Sequence, residues 1–249
     1  MTNTTQTKTR LVRLPLKTIS NCRDLGGYPT SDNQSVKWRA FLRSNNLVHL
    51  SKEDKEYLLD YGLKTVIDLR TPSETIKTPN PLSREDTIDY HNVNLTGREA
   101  EGESLKALTE EGIKLEHLLR ENYIVMLNNK EKIKDVFDVI LQADEGVILF
   151  HCNAGKDRTG LIAMLILGLA GVAEQDIITN YEISLTNIYQ DVVHKMTPDY
   201  MPILSSTPGN IIKAMTYIKE EFGSYDSYFQ WLGFTETDIE RLQEKILER

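Results

Sequence analysis

Within the run His151-Cys152-Asn153-Ala154-Gly155-Lys156-Asp157-Arg158-Thr159-Gly160, a thiol, a carboxyl and a guanidinium lie inside seven positions. Such a set can attack an electrophile, protonate a leaving group and hold an anion. Phosphate monoesters need all three, because their uncatalysed hydrolysis is so slow that enzymes accelerate it by up to about 10^21-fold. Without a metal, a protein must bring an ionised nucleophile, a cradle for the phosphoryl oxygens and an acid for the leaving oxygen. Cys152 is the candidate nucleophile, since a helix N-terminus and nearby cations favour a thiolate. The turn from Asn153 through Ala154, Gly155, Lys156 and Asp157 to Arg158 can aim successive backbone N–H groups inward as an anion nest. Gly155 lets the backbone curl and approach the ligand. Arg158 can grip two phosphoryl oxygens with its planar fork. Thr159 is placed to offer its hydroxyl to the thiolate, and His151 to brace the loop from below.

Taken singly, these residues have plainer readings. A lone cysteine is usually a buried structural thiol, and a lone arginine a surface ion pair. A nucleotide-binding P-loop does not fit, because Gly155-Lys156 is followed by Asp157 and the earlier glycine is missing.

Positioning such a loop requires a strand before it and a helix after it. The apolar run Gly146-Val147-Ile148-Leu149-Phe150 precedes it, and the apolar run from Leu161 to Ala170 follows. A buried strand, a tight turn and a buried helix are expected. Further strands are expected at Val36–Leu42, Thr65–Leu69 and Ile88–Leu95. Helices are expected at Ser51–Tyr61 with Ser51 as N-cap, at Glu99–Leu127 with interruptions at Gly102 and Gly112, and at Lys130–Gln142. Beyond Gly171 the pattern is helical, over Glu174–Asn187, Pro208–Phe222 and Thr235–Leu247, the last opened by a Thr235/Asp238 capping box. Strands separated by helices predict an α/β fold with a central, mostly parallel sheet flanked by helices and a helical C-terminal part. Residues 1–15 are expected to be a flexible tail and 16–249 one domain, with the C-terminal helices beginning near 174.

The chain has 249 residues, 40% hydrophobic and 27% charged, the balance of a globular protein. A net charge of -8 argues against a general nucleic-acid partner. The ten-residue apolar run is too short to span a bilayer, and no signal-peptide pattern opens the chain, so a cytoplasmic protein without stable membrane insertion is expected. Two cysteines, Cys22 and Cys152, fit a reducing compartment. The five histidines show no ligand spacing, so no metal site is expected. Nothing in the sequence sets an oligomeric state.

Cys-x5-Arg-Thr-Gly after a histidine resembles the loop of the cysteine-dependent protein tyrosine phosphatase superfamily. The Lys-Asp-Arg within it resembles the bacterial branch of atypical tyrosine phosphatases, several of which also hydrolyse phosphoinositides. Asn21-Cys22-Arg23-Asp24-Leu25-Gly26-Gly27-Tyr28 is similar to the Asn-x-Arg-Asp-Leu-Gly-Gly element near the start of those proteins. Arg43-Ser44 and the stretch Val66 to Glu74 fit the same branch, and the resemblance runs from about Ile19 to Asn187. It implies a protein tyrosine phosphatase-like fold, a phosphocysteine intermediate, no cofactor, and a phosphorylated protein or phosphoinositide as substrate. Phosphoserine and phosphothreonine stay open.

Many members carry the acid on a separate Trp-Pro-Asp loop. Here neither Trp38 nor Trp231 is followed by Pro-Asp, which leaves Asp157 as the first candidate. The resemblance implies the same assignment; the plainer role is to orient Lys156 or Arg158. Asp199, in Thr197-Pro198-Asp199, and Asp24 are rival acids, and Asp24 could instead pair with a loop cation. Arg23 and Arg70 could brace strand ends against Asp68 or Glu74. Lys156 is either solvated or, as the resemblance implies, set to meet extra phosphates on an inositol ring. Cys22 packs in the core or forms a reversible disulfide with Cys152. Outside this reading stand a non-catalytic phosphate-recognition module, a phosphoinositide-only phosphatase, and an arsenate or sulfur-transfer enzyme. The last lacks a resolving cysteine close to Cys152.

Overall fold

The structure is a computed structural model that describes residues 10–97, 115–195 and 206–248. Its elements are β1 (Arg23–Asp24), β2 (Ser35–Val36), β3 (Phe41–Ser44), α1 (Lys52–Tyr61), β4 (Leu63–Asp68), α2 (Pro72–Lys77), β5 (Asp89–Asn92), α3 (Leu115–Asn128) and α4 (Lys130–Gln142). They continue with β6 (Val147–His151), α5 (Asp157–Leu169), α6 (Glu174–Val192), α7 (Pro208–Phe222), α8 (Tyr225–Leu232), α9 (Glu236–Ile246) and β7 (Leu247–Glu248). Among the described residues, five strands form one sheet in the order β1-β3-β6-β4-β5, parallel except for β1. This is the expected α/β architecture, a mostly parallel sheet between helices.

The loop-bearing strand β6 is the central strand and is buried along its whole length. Its side chains alternate between two cores. Val147 and Leu149 pack with Leu58 of α1 and with Leu14 and Ile19 of the N-terminal segment. Ile148 and Phe150 pack with α4, α5, α7 and α9. Helix α5 is buried at every position except Asp157 and Gly168. A strand and a helix enclosed this completely cannot shift relative to each other without opening voids, at about 24 cal/mol for each Å³ of cavity.

Local signals explain the element ends. Ser51 caps α1 by accepting the Asp54 N–H, and Gly62 closes it in the left-handed region at φ 109°. Thr71 and Glu74 form a capping box that starts α2 after Asp68 ends β4. Thr235 and Asp238 form the expected box on α9. The amphipathic pattern predicted for Lys130–Gln142 is α4, with Ile133, Val136, Phe137 and Ile140 buried.

Three expectations change. The single strand Val36–Leu42 is two strands, because Arg39 sits at φ 60° and turns the chain between them. Val36 pairs with Leu247 in a separate two-stranded ribbon, while Phe41 joins the main sheet. Residues 10–15 are not a loose tail: Val12 O accepts the Asp24 N–H at 2.7 Å, the Leu14 N–H reaches Cys22 O at 3.1 Å, and Leu14 is buried. The apolar side chain of Leu14 and the unpaired edge of β1 hold that segment down. Of the interrupted helix Glu99–Leu127, the described part is α3; Gly102, Gly112 and the Thr197-Pro198-Asp199 turn lie outside the described residues. Helix α8 was not expected from the sequence.

Candidate active site

The loop between β6 and α5 is shaped from outside, by its carbonyls. His151 Nδ1 bonds Cys152 O at 3.0 Å. The Asn46 N–H donates to Asn153 O at 2.8 Å. Asn21 Nδ2 donates to Ala154 O and Gly155 O at 3.0 and 3.2 Å. Arg43 Nη2 donates to Gly155 O at 2.9 Å and Lys156 O at 3.4 Å, and the Gly160 N–H reaches Lys156 O at 2.7 Å. In a trans peptide the N–H points opposite to the preceding carbonyl, and the described residues contain no cis bond. Five carbonyls held outward therefore turn the N–H groups of Asn153, Ala154, Gly155, Lys156 and Asp157 to the inside of the curl. That is an anion nest at the start of a buried helix. Gly155 is required there: its φ is 67°, and a Cβ would stand 2.4 Å from Ser44 O.

The histidine's proton is fixed by its neighbours. The Leu82 N–H donates to Asn80 Oδ1, so Asn80 turns its amide nitrogen to His151 Nε2 at 2.8 Å. His151 Nε2 must then accept, and the ring is neutral with its proton on Nδ1, aimed at Cys152 O. Burial lowers the basicity of His151 and outweighs the opposing charge of Asp68.

Two buried arginines lie beneath the loop. Arg43 bonds Asn180 Oδ1 at 2.5 Å as well as the loop carbonyls. Burial pushes its guanidinium down to about 10, and the Cys152 thiolate is foremost among the groups acting the other way. Arg23 bonds Asn180 O at 2.7 Å and Ser184 Oγ at 2.9 Å, and also Asn21, whose Oδ1 takes a further bond from Asn187 at 3.1 Å. It braces the loop through Asn21 and not through Asp68 or Glu74. Arg70 does meet Asp68, with Nε to Oδ1 at 2.8 Å and Nη2 to Oδ2 at 2.6 Å.

Arg158 is gripped end-on by Glu74, Nη1 to Oε2 at 2.7 Å and Nη2 to Oε1 at 2.9 Å. Glu74 also accepts from Asn153 Nδ2 and from the Thr71 N–H. Burial raises the Glu74 carboxyl, but the Arg158 bonds and charge win and bring it down to about 2.

At the helix end of the loop, Asp157 is the half-exposed carboxylate. Its Oδ1 accepts from the Tyr123 hydroxyl at 2.7 Å, and Lys156 Nζ stands 3.5 Å from Oδ2. Lys156 is buried rather than solvated.

Two sequence expectations fail. Asp24 does not pair with a loop cation: its carboxylate accepts from the Gly26 N–H, the Arg39 N–H and the Tyr61 hydroxyl, all on the far side of β1. Burial dominates there and raises its carboxyl. The hydroxyl of Thr159 is buried with no hydrogen-bond partner, so the expected bond to Cys152 is not made. Cys22 packs in the core opposite the one that holds Cys152, and both thiols are free.

A family-wide sequence profile described as the tyrosine phosphatase family matches residues 14–248. The chain belongs to the tyrosine phosphatase family. Within it, a tyrosine-protein phosphatase of Nostoc commune is 40% identical over 146 residues, which cover 58% of this chain and 48% of that protein. The chain thus spans about half the length of that relative. A Cupriavidus necator protein with the provisional name tyrosine-protein phosphatase is 29% identical over 92% of this chain and 86% of its own. The family match assigns nothing to the residues that hold the loop.

Those supports escaped sequence reasoning. Asn180, Ser184 and Asn187 recur at helical spacing on α6, a buried polar stripe that was legible as one. Thr71-x-x-Glu74 was legible as a capping box, but its reach to Arg158 was not. Tyr123, Tyr181 and Asn210 carry no local signal.

Proposed function

We propose that the chain hydrolyses phosphate monoesters through a phosphocysteine, with phosphotyrosine in proteins as its substrate. The observation that carries this reading is the set of five inward N–H groups between Cys152 and Arg158, with Asp157 beside them. Cys152 Sγ attacks phosphorus as the ester P–O bond breaks, and Asp157 gives its proton to the leaving oxygen. Water then attacks the phosphocysteine, Asp157 takes the water proton, and the thiolate departs. The backbone donors and Arg158 stabilise the equatorial oxygens, whose charge is spread most in the transition state. Asn153, Ala154, Gly155 and Lys156 serve through their backbone amides, while His151, Arg23 and Arg43 hold the loop.

Lys156 bears on the choice between protein and lipid. Its ammonium is buried against Asp157 instead of reaching outward to a second phosphate, which favours phosphotyrosine over phosphoinositides. The test is phosphate release from phosphotyrosine, phosphoserine and phosphothreonine peptides and from phosphoinositides, with Cys152→Ser as the blank. Turnover of phosphotyrosine that vanishes in the variant is expected. Full activity in Cys152→Ser overturns the mechanism, and release from phosphoinositides alone overturns the substrate.

A further inference from the structure

Asp157 is the outer end of a buried hydrogen-bond chain that crosses three helices. Tyr123 of α3 donates to Asp157 Oδ1 at 2.7 Å. Its oxygen lies 2.8 Å from the hydroxyl of Tyr181 on α6. Asn210 Nδ2 of α7 donates to the Tyr181 oxygen at 3.3 Å. Each phenol has one proton, and that of Tyr123 is committed to the carboxylate. Tyr181 must therefore donate to Tyr123, and all three bonds run in one direction, toward Asp157. Such a chain polarises cooperatively. Tyr123, Tyr181 and Asn210 are all nearly inaccessible to solvent, so water cannot replace a missing link. Burial and the Asp157 charge push the Tyr123 hydroxyl well above its ordinary range, so it stays a donor. The two rings pack edge to face, 6.3 Å apart.

We infer that Tyr123, backed by Tyr181 and Asn210, is a positioning residue for the acid: by holding Oδ1 as an acceptor it keeps the transferable proton of Asp157 on Oδ2. The helical C-terminal part then has a stated task, because α6 and α7 orient the proton donor. This rests on the phosphatase reading above and assigns it residues that the loop motif does not contain.

The experiment compares wild type, Asp157→Asn, Tyr123→Phe and Tyr181→Phe on aryl phosphates of graded leaving groups, from 2,4-dinitrophenyl to phenyl phosphate, with phosphate binding by each variant as a check on the loop. A misplaced acid matters most where the leaving oxygen most needs a proton, and a whole general acid is worth about 10^2- to 10^4-fold. Tyr123→Phe is expected to lose about tenfold in kcat/KM, which reports loss of the leaving group, on phenyl phosphate and less than about threefold on the dinitrophenyl ester, phosphate binding being kept; Tyr181→Phe shows the same bias at about threefold. An equal loss in kcat/KM on every leaving group, or no loss, overturns the inference while leaving the phosphatase reading intact. A wild type inactive on all these esters, or Cys152→Ser with full activity, overturns both.

Discussion

The two cysteines lie on opposite faces of one sheet, and each is almost wholly buried. Cys22 sits among Leu14, Leu42, Leu47 and Leu58, and burial pushes its thiol up to about 12. Cys152 sits at the end of β6, where the chain stops pairing and curls its amides toward one point, with Arg43 beneath. Equal burial thus yields an inert thiol in one place and a candidate nucleophile in the other. What differs is the orientation of the backbone dipoles around the sulfur, since a cation stands near both: Arg23 by Cys22 and Arg43 beneath Cys152.

That contrast breaks most sharply at the sulfur itself. Cys152→Ser is expected to lose at least about 10^4-fold in turnover of an aryl phosphate while still binding phosphate, as steady-state rates and calorimetry would show. Arg43→Met comes next. It strips the cation, leaves Gly155 O and Lys156 O with only their bonds from Asn21 and the Gly160 N–H, and removes the donor to Asn180 Oδ1, at about 1–3 kcal/mol for that buried group. A slack loop lowers kcat by about 100-fold, and the melting temperature falls as well. An unchanged kcat would mean that the loop holds its curl without the outer ring.

Glu74→Gln is a smaller blow. It keeps a hydrogen-bonding side chain on Arg158 but removes the charge, and about a tenfold rise in KM is expected. The sign of its pH dependence follows from the lowered carboxyl. Because Glu74 drops from 4.5 to about 2 on folding, its stabilisation is complete above 4.5 and is lost as pH falls toward 2. The stability gap between wild type and Glu74→Gln should therefore be full near neutrality and less than about half as large by about pH 3. A constant gap would show that the charge is not what Arg158 needs. At the small end, Cys22→Ala should leave kcat and KM unchanged and cost about 1 kcal/mol of stability, and iodoacetate should modify Cys152 in competition with phosphate but spare Cys22 until the protein unfolds. Alkylation of Cys22 in the folded protein would erase the comparison.

The loop, the strand before it and the helix after it were legible because they are local: apolar runs set β6 and α5, and a cysteine, an acid and an arginine at fixed spacing imply an anion site. The expected role of Asp24 failed because the strand edge turns that carboxylate onto Gly26, Arg39 and Tyr61. The Leu-Gly-Gly part of its motif answers a packing demand instead: Gly27 has φ 87°, and a Cβ there would lie 2.5 Å from the Trp38 ring.

By itself, the sequence determined most of the longer strands and helices, the caps at Ser51 and Thr235, and the reactive groups of the loop, since each depends on residues a few positions apart. Only the tertiary structure decided which way the loop amides point, what grips Arg158 and what orients Asp157. Those depend on Asn21, Arg43, Glu74, Tyr123, Tyr181 and Asn210, which lie far apart along the chain and meet only because the sheet and α6 bring them under one loop. Pairwise contacts of that range leave no period or spacing in a single sequence.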